Sequence, residues 1–423
     1  MDKRLIAEFA FDIQSGLGRT DAPEFNNLRT AGMAASLAVH IRGLGEIDYE
    51  VLRKVSDFYF DIPSYALKAV IDILLEVEFI DVVKSASKIE KVIPQVPHFQ
   101  DLYSILGEHH SLNDLNEHEQ AALHILGELQ NQPQNKDRLF STSGMDTDVF
   151  DRCLVIGEHN GLVRTHRVRG RTILTSPIYF ADNLDGLADL AAASGSSDIG
   201  LALEVIRRNQ GWPLSVALAQ QEIGGTKLSP DVTGVIHKLA NEGILKPPTI
   251  KFKTKQESFL FTPKPGSIRL DAANRDVYER AMAIVSSVRK GQLLPDSYRI
   301  KWPIAILRAL RDKGYLKSNS DAGSQYQNLV GLRVGYLKEV SAGRWEFHMR
   351  TDPENKAALE LAIKLLETGD LAGMELNQEA RIALSKDEKY IQSVVASAEL
   401  RKRQSQALDQ KAVYEFEQLM LKY

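Results

Sequence analysis

At four places in this chain, one residue pattern predicts a helix that ends at a glycine and leads into a strand. Each copy has an apolar residue, usually a second one three positions later, and then Gly (Glu in the first copy) followed by two apolar residues. The copies are Ile71–Ile80, Leu154–Val163, Ile236–Leu245 and Leu307–Leu316. Apolar residues at i and i+3 share one helical face, and a Gly in the left-handed conformation ends a helix. The pattern therefore predicts four similar helix–strand junctions.

The spacing of these junctions predicts one small domain for each. The residues at which the helices end are Glu78, Gly161, Gly243 and Gly314, which are 83, 82 and 71 positions apart. Amphipathic segments precede each junction, and alternating strand-like segments follow it. The best-patterned hairpins are Leu162–Val168 with Thr172–Ser176, turning at Arg169-Gly170; Thr249–Thr254 with Phe259–Thr262, turning near Lys255–Glu257; and Leu332–Val340 with Arg344–Met349.

Helices followed by a β-hairpin, in this order, resemble the winged helix-turn-helix family over about residues 45–350. The resemblance implies a mainly α fold with small β-hairpins (α+β), in which tandem winged-helix domains lie between helical N- and C-terminal segments. An α/β chain with unrelated helix–strand junctions is the alternative. The predicted segments are 1–45, helical; 46–115, 116–190, 191–268 and 269–352, called here the first to fourth repeats; and 353–423, a helical tail.

Composition indicates a globular protein of the cytoplasm. The hydrophobic content is 43%, and no stretch approaches the ~18 apolar residues of a membrane helix. The N-terminal residues MDKRLIAEFAFDI are interrupted by Glu8 and Asp12, so they do not form a signal peptide. The single cysteine, Cys153, lies in an apolar run and is predicted to be a buried small residue. We therefore expect no membrane association.

Motifs for catalysis are missing from the sequence. Gly224–Lys227 has no phosphate-binding loop around it, and no nucleophile elbow or zinc-protease helix occurs. His118 and His124 are six positions apart, which places them on opposite sides of a helix. The region from Lys91 to Lys136 contains no other Lys or Arg and is interpreted as an acidic linker. We predict no catalytic residue, cofactor or metal; the alternative is an enzyme whose site residues come together only in three dimensions.

Basic residues cluster where winged helices contact nucleic acid. The second hairpin has arginines at its tip, the third has alternating lysines, and the fourth repeat has cations before and along its presumed terminal helix. Such cations bind phosphates of the DNA backbone, although basic edge strands also prevent aggregation. The candidate residues are Arg164, Arg167, Arg169 and Arg171; Lys251, Lys253 and Lys255; and Arg299, Lys301, Arg308 and Arg311.

Other features argue against base-specific recognition. The net charge is −4, and the terminal helices of the second and third repeats begin with Met145-Asp146-Thr147-Asp148 and Ser229-Pro230-Asp231, where carboxylates would face phosphates. We therefore predict a DNA-binding protein that uses its wings on double-stranded DNA with low specificity, within a multi-component system and associated with the nucleoid. The alternative is a scaffold that binds partner protein subunits.

The C-terminal tail has an interrupted apolar stripe. The stripe includes Ile391, Val394, Val395, Ala398, Leu408, Val413, Phe416, Leu419 and Met420. Its heptads are broken around Arg401–Gln406, so a homodimer through these helices and a helix packed back on the domains both fit.

Overall fold

The computed structural model describes residues 2–85, 88–97, 99–110, 115–180, 183–245, 247–252, 255–263, 272–294, 299–369 and 377–399. Helices predominate, and the strands form small antiparallel sheets of two or three strands. The predicted mainly α class with small β-hairpins is therefore confirmed. Residue contacts separate two compact units, one containing residues 2–110 and 377–399 and the other residues 115–369. Within these ranges, no helix has the length and apolar character needed to cross a bilayer.

The first repeat and the segment before it form the greater part of the first compact unit. Asp48 caps α3 by accepting hydrogen bonds from the amides of Glu50 and Val51, and Gly18 and Pro23 lie between α1 and α2. The first helix of this repeat is α2, which begins well before the expected boundary at residue 46. The elements are α1 (Lys3–Leu17), α2 (Asn26–Ile41), β1 (Ile47–Asp48), α3 (Tyr49–Tyr59), α4 (Leu67–Glu76), β2 (Ile80–Ser85), β3 (Lys88–Pro94) and α5 (Phe99–His109).

The second repeat opens the second compact unit. Asn116 and Glu119 form a reciprocal capping box at the start of its first helix, and Cys153 is buried as expected. The elements are α6 (Glu117–Asn131), β4 (Gln134–Asn135), α7 (Lys136–Ser143), α8 (Thr147–His159), β5 (Arg164–Val168), β6 (Arg171–Thr175) and α9 (Leu184–Ser194). The predicted acidic linker, Lys91 to Lys136, thus contains the helices α5 and α6. The first packs on α1 and α2, and the second packs on α8.

The third repeat follows without a long linker. Its predicted helix start is confirmed, since the Ser229 side chain accepts from the amide of Val232 and Pro230 is the first helical residue. The elements are α10 (Ser196–Arg208), β7 (Trp212–Pro213), α11 (Leu214–Gln220), β8 (Glu222–Ile223), β9 (Thr226–Lys227), α12 (Pro230–Asn241), β10 (Thr249–Phe252) and β11 (Lys255–Leu260). Lys255–Glu257 thus belongs to the second strand of the hairpin, and the predicted turn there is wrong.

The fourth repeat shares a core with the third. Ile250, Phe259 and Phe261 of the third repeat belong to one apolar cluster with Tyr278 and Phe347 of the fourth. The elements are α13 (Ala272–Lys290), α14 (Pro303–Lys313), β12 (Tyr315–Asn319), α15 (Ala322–Gln325), α16 (Gln327–Gly331), β13 (Gly335–Ser341), β14 (Arg344–Met349) and α17 (Pro353–Glu367).

The predicted tail, residues 353–423, is divided between the two compact units. Its first helix, α17, packs on α13 and α14 in the second unit. The described part that belongs to the first unit consists of α18 (Gln378–Leu384) and a helical stretch at residues 388–399. Ala380, Ala383, Leu384 and Ile391 are buried in the same core as α2, α3 and α4. This part of the tail is therefore a helix packed back on a domain. The stripe residues from Leu408 onward lie outside the described residues, and dimerisation stays a prediction.

All four repeats contain the same series of elements: helix, strand, helix, helix, strand, strand. In the fourth repeat this series begins at α14, and α13 precedes it. In the first repeat these are α2, β1, α3, α4, β2 and β3, and the sheet order is β1-β3-β2. The other sheets are ordered β4-β6-β5, β7-β11-β10 and β12-β14-β13, so the first strand always pairs with the last. The third repeat inserts the small β8–β9 hairpin between its second and third helices.

The residues predicted to end the four helices have left-handed backbones. Their φ angles are +59° at Glu78, +69° at Gly161, +70° at Gly243 and +75° at Gly314. Gly314, however, ends α14, which β12 follows directly, so α14 corresponds to α2, α6 and α10 of the other repeats and not to their last helices. The residue that corresponds to the other three is Arg333, with φ +57°, between α16 and β13. The predicted terminal helix of this repeat is therefore wrong.

Two cations at the end of α13 are buried in the second compact unit. The Arg289 guanidinium donates to the Gln210 carbonyl and lies 5.3 Å from the Trp212 ring centre, which ties the third and fourth repeats together. Lys290 Nζ donates to the Ser324 carbonyl at 2.6 Å. Burial lowers the pKa of Arg289 to about 10 and the pKa of Lys290 to about 8.

The lowered pKa of Lys290 predicts a pH-dependent free energy of unfolding. The unfolded chain holds this proton up to its ordinary pKa of 10.5, so between pH 8 and 10.5 it binds more protons than the folded chain. Below pH 8 the buried Lys290 is charged and destabilises the folded state; above pH 8 it loses its proton, and this destabilisation disappears. Relative to Lys290→Met, the wild-type free energy of unfolding should rise by at most about 3 kcal/mol across this window. Urea unfolding of both proteins across this window measures the effect, and parallel pH profiles would contradict it.

Candidate nucleic-acid interface

The second hairpin has the predicted turn, but its tip is held against α9. Arg169 and Gly170 both have positive φ, and Val168 pairs with Arg171, as in a two-residue hairpin. The Arg169 guanidinium donates two hydrogen bonds of 2.8 Å to the Asp189 carboxylate, which raises the pKa of Arg169. Arg171 donates to the Ala192 carbonyl at 3.2 Å. Two of the four predicted arginines are therefore already engaged within the protein.

A buried histidine fastens the same hairpin to α9. His166 is 6% exposed, and its ring nitrogens lie 2.9 Å from the Asp185 carboxylate and 2.9 Å from the Thr175 hydroxyl. Arg164 and Arg167 are exposed on this hairpin and have no carboxylate partner in the part of the chain that the structure describes. Phosphates can therefore reach these two arginines directly, whereas Arg169 must first leave Asp189.

If the second hairpin binds DNA as predicted, the Asp189 contact competes with phosphates, and its removal should increase the affinity for DNA. In Asp189→Asn, the Arg169 guanidinium loses an exposed ion pair, which contributes little to folding but competes with a phosphate. We expect duplex affinity to rise about threefold at low salt. Asp185→Asn is not a suitable control because it also disturbs His166. Asp198→Asn, in the first turn of α10, removes the same charge elsewhere and should leave the affinity unchanged. Equal affinities for both variants would contradict competition at Arg169.

In the third repeat, the predicted lysines occupy a confirmed hairpin. Lys251 pairs with Gln256, and Phe252 pairs with Lys255, so Lys251 and Lys255 lie in adjacent strands. Lys253 lies outside the described residues. Elsewhere in this repeat, Lys227 before α12 and Lys238 on α12 are exposed. Its cations are therefore distributed between the last helix and the hairpin.

In the fourth repeat, the predicted cations lie before and on α14, whereas the last helix before the hairpin is α16. Arg299 and Lys301 precede α14 and are exposed. Arg308 donates to the Glu367 carboxylate at 2.6 Å, and Arg311 donates to Asp312 at 3.0 Å, which raises the pKa of Arg311. Because α15 and α16 follow α14, Arg308 and Arg311 do not lie on the last helix of this repeat. Both are held in ion pairs on the surface of α14.

The last helix of the fourth repeat is α16, and sequence reasoning missed it. Its exposed residues include Gln327 and Asn328, and no Asp or Glu occurs from Ala322 to Lys338. In contrast, α4 exposes Asp72, and α8 exposes Asp148. The helix is five residues long, which is too short to show a repeating spacing of apolar residues. In addition, Arg333 stands where the helix–strand pattern has Gly. The signal that could have identified it is the long stretch without acids.

Three cations accompany α16 and its hairpin. Arg333 ends the last turn, where the buried Asn355 side chain donates to its carbonyl at 3.2 Å and holds its left-handed backbone. Lys338 is exposed on β13, and Arg344 begins β14 and donates to the Ser318 carbonyl. None of the three pairs with a carboxylate within the described ranges. The fold therefore follows a helix that carries amide side chains with three cations that lack carboxylate partners, Arg333 before β13 and Lys338 and Arg344 on the hairpin.

Charge is distributed unevenly among the repeats. The first repeat has 13 Asp and Glu residues against six Lys and Arg, and the second has 11 against seven. The third repeat has six acids against nine basic residues, and the fourth has nine against 15. A polyanion is therefore attracted to the third and fourth repeats and repelled by the first and second.

Comparison with known proteins provides no family for this chain. No protein-family model matches it, and a search of curated proteins finds no match.

Proposed function

We propose that the four repeats are winged-helix domains and that the protein binds double-stranded DNA with low sequence specificity, mainly through the fourth repeat. The common order of elements and the pairing of the first strand with the last support the winged-helix assignment. In such a domain, the last helix approaches the major groove and the hairpin reaches the phosphate backbone. The fourth repeat would then place α16 and the β13–β14 hairpin on DNA.

The observation that carries this proposal is the set of unpaired cations around an acid-free helix. Arg333, Lys338 and Arg344 are exposed without carboxylate partners within the described ranges, and Gln327 and Asn328 can donate to phosphates or base edges. Cations without carboxylate partners bind phosphates without first breaking an ion pair. The basic excess of residues 191–352 provides attraction over a longer range.

Low specificity follows from the helices themselves. A five-residue α16 offers few side chains to base edges, and the longer α8 and α12 carry Asp148 and Asp231 in their first turns. These carboxylates would face phosphates if either helix entered a groove. Most contacts would therefore be to the backbone, which carries no sequence information directly.

Protein binding by the first two repeats is a second function that specific residues favour. Tyr65, in the turn before α4, is 84% exposed, and Val155 on α8 is 58% exposed. Both lie on acidic repeats that repel DNA, next to helices whose surfaces are not basic. Exposed apolar side chains with charged neighbours are typical of protein interfaces. We propose that these repeats bind partner subunits while the third and fourth repeats hold DNA.

The test is a direct titration of the full chain with labelled duplexes. Two unrelated sequences of about 30 base pairs are compared by fluorescence anisotropy at about 50 mM salt. The proposal predicts binding to both, with dissociation constants that agree within about threefold. If neither duplex binds, the DNA function is wrong and the scaffold function remains. If one binds far more tightly than the other, the low specificity is wrong.

A further inference from the structure

A row of three aromatic rings crosses the outer face of the fourth repeat's sheet. Tyr315 on β12 and Tyr336 on β13 each pair with His348 on the central strand β14. The Tyr315 and His348 ring centres are 5.3 Å apart at an interplanar angle of 17°, and those of Tyr336 and His348 are 5.2 Å apart at 10°. The rings therefore stack in nearly parallel planes from one edge strand to the other.

The two outer rings of this row are accessible to a ligand. Tyr315 is 37% exposed and Tyr336 is 49% exposed. His348 is fixed between them, because its Nε2 lies 3.0 Å from the Glu346 carboxylate. Each tyrosine has one ring face against His348, so the opposite face is directed away from the row. Two aromatic faces that are open at the ends of a stack can each accept another planar group.

A cleft lies beside the β12 end of the row. It has a volume of about 460 Å³ between α14, β12 and α15, and Tyr315 is one of its walls. Leu316, Ile306 and the Tyr326 ring provide apolar surface inside it. Tyr326 is only 3% exposed, yet its hydroxyl makes no hydrogen bond to any described residue. The cleft therefore offers a partly apolar space of the size of a small planar ligand, with the Tyr326 hydroxyl available for a hydrogen bond.

Cations surround both the cleft and the row. Lys313, Lys317 and Arg344 line the cleft, against one carboxylate, Asp321. At the other end, Lys338 follows Tyr336 by two residues and therefore lies on the same face of β13. The two lysines of the cleft have no carboxylate partner in the described part of the chain. A ligand that combines planar rings with negative charges would therefore complement this face.

We propose that this face of the fourth repeat binds single-stranded DNA, with one base in the cleft against Tyr315 and another on the open ring of Tyr336. The proposal rests on the DNA-binding function above and specifies a second form of DNA. Bases of a duplex are stacked on one another, so only an unpaired strand can present base faces to both tyrosines. Aromatic platforms with adjacent cations are the chemistry that binds single strands without sequence preference. The α16 surface and this face would together favour DNA in which a duplex adjoins an unpaired strand.

The experiment measures binding of a labelled oligothymidylate of about 12 nucleotides to the full chain. Tyr315→Leu and Tyr336→Leu each keep an apolar side chain but remove the ring, and each should weaken this binding about tenfold. Tyr315→Phe and Tyr336→Phe retain the ring and should bind within about twofold of the wild type. All four proteins should bind the duplex as the wild type does. A 2-aminopurine in the oligonucleotide should be quenched by the wild type and the Phe variants, and less by the Leu variants.

The outcomes separate this inference from the proposed function. Duplex binding without oligothymidylate binding would overturn the single-strand face and leave the duplex function intact. Equal affinities of the Leu and Phe variants for the oligothymidylate would also overturn it, because the rings would then contribute nothing. Binding of neither DNA would overturn both proposals. Tyr336 is half exposed, so Tyr336→Leu tests the inference even if Tyr315→Leu disturbs the sheet.

Discussion

Replacing Arg333, Lys338 and Arg344 together with Ala should weaken duplex binding about 100-fold at low salt. Each cation is exposed and without a carboxylate partner within the described ranges, so a phosphate can contact each one without breaking an ion pair; the one bond to be replaced is that of Arg344 to the Ser318 carbonyl. A hydrogen bond to a charged group contributes on the order of 1 kcal/mol or more, and three such losses correspond to about a hundredfold in affinity. Fluorescence anisotropy with a labelled duplex measures the change.

The matched control removes three arginines from the second hairpin. Arg167, Arg169 and Arg171 are replaced by Ala, which changes the net charge by the same amount. Because Asp189 already holds Arg169 and the Ala192 carbonyl accepts from Arg171, we expect a loss of about tenfold or less. A larger loss from the second hairpin than from the fourth repeat would contradict the assignment of the main contact to the fourth repeat.

Replacing Gly32 with Ala should destabilise the first compact unit by about 3 kcal/mol or more. Gly32 lies on α2 where that helix crosses α1. A Cβ atom there would lie 2.1 Å from the Ala10 carbonyl oxygen and 2.7 Å from its carbon. The obstacle is helix backbone and not a flexible side chain, so the two helices must separate. Loss of their close contact also removes dispersion energy from the core around Phe11 and Leu37. Urea unfolding, followed by circular dichroism, measures the free energy.

Gly45 provides a control in the same compact unit. Nothing lies within 4 Å of a Cβ placed on Gly45, and its φ is not positive. Gly45→Ala should therefore change the free energy of unfolding by less than about 0.5 kcal/mol. If Gly32→Ala were as mild as Gly45→Ala, the close crossing of α1 and α2 would be wrong.

Local sequence patterns predicted those parts of the fold that depend on neighbouring residues. Gly161 and Gly243 end their helices in the left-handed conformation, and the Arg169-Gly170 turn joins β5 to β6. The same logic failed at Gly314, because any helix that leads into a strand produces the pattern. The true last helix, α16, has too few residues to show periodicity. The residue with positive φ that follows it is Arg333 and not Gly.

The candidate site depended on contacts between distant parts of the chain. The sequence indicated Arg169 and Arg308 as surface cations. Asp189, the partner of Arg169, is 20 residues away, and Glu367, the partner of Arg308, is 59 residues away. Pattern reasoning cannot assign such ion pairs. The aromatic row likewise requires β12 to pair with β14, and this register is set by the tertiary fold. Sequence therefore predicted the type of surface, and the structure identified which cations lack carboxylate partners among the described residues.

The salt dependence of duplex binding tests the central claim most directly. If the fourth repeat and its neighbours form four or more phosphate contacts, affinity should fall about a hundredfold between about 50 and 200 mM salt, at ~0.9 log units per contact for each log unit of salt. The slope of the triple variant Arg333→Ala, Lys338→Ala and Arg344→Ala should be shallower by about three contacts. A wild-type affinity that hardly changes with salt would contradict DNA binding through these cations.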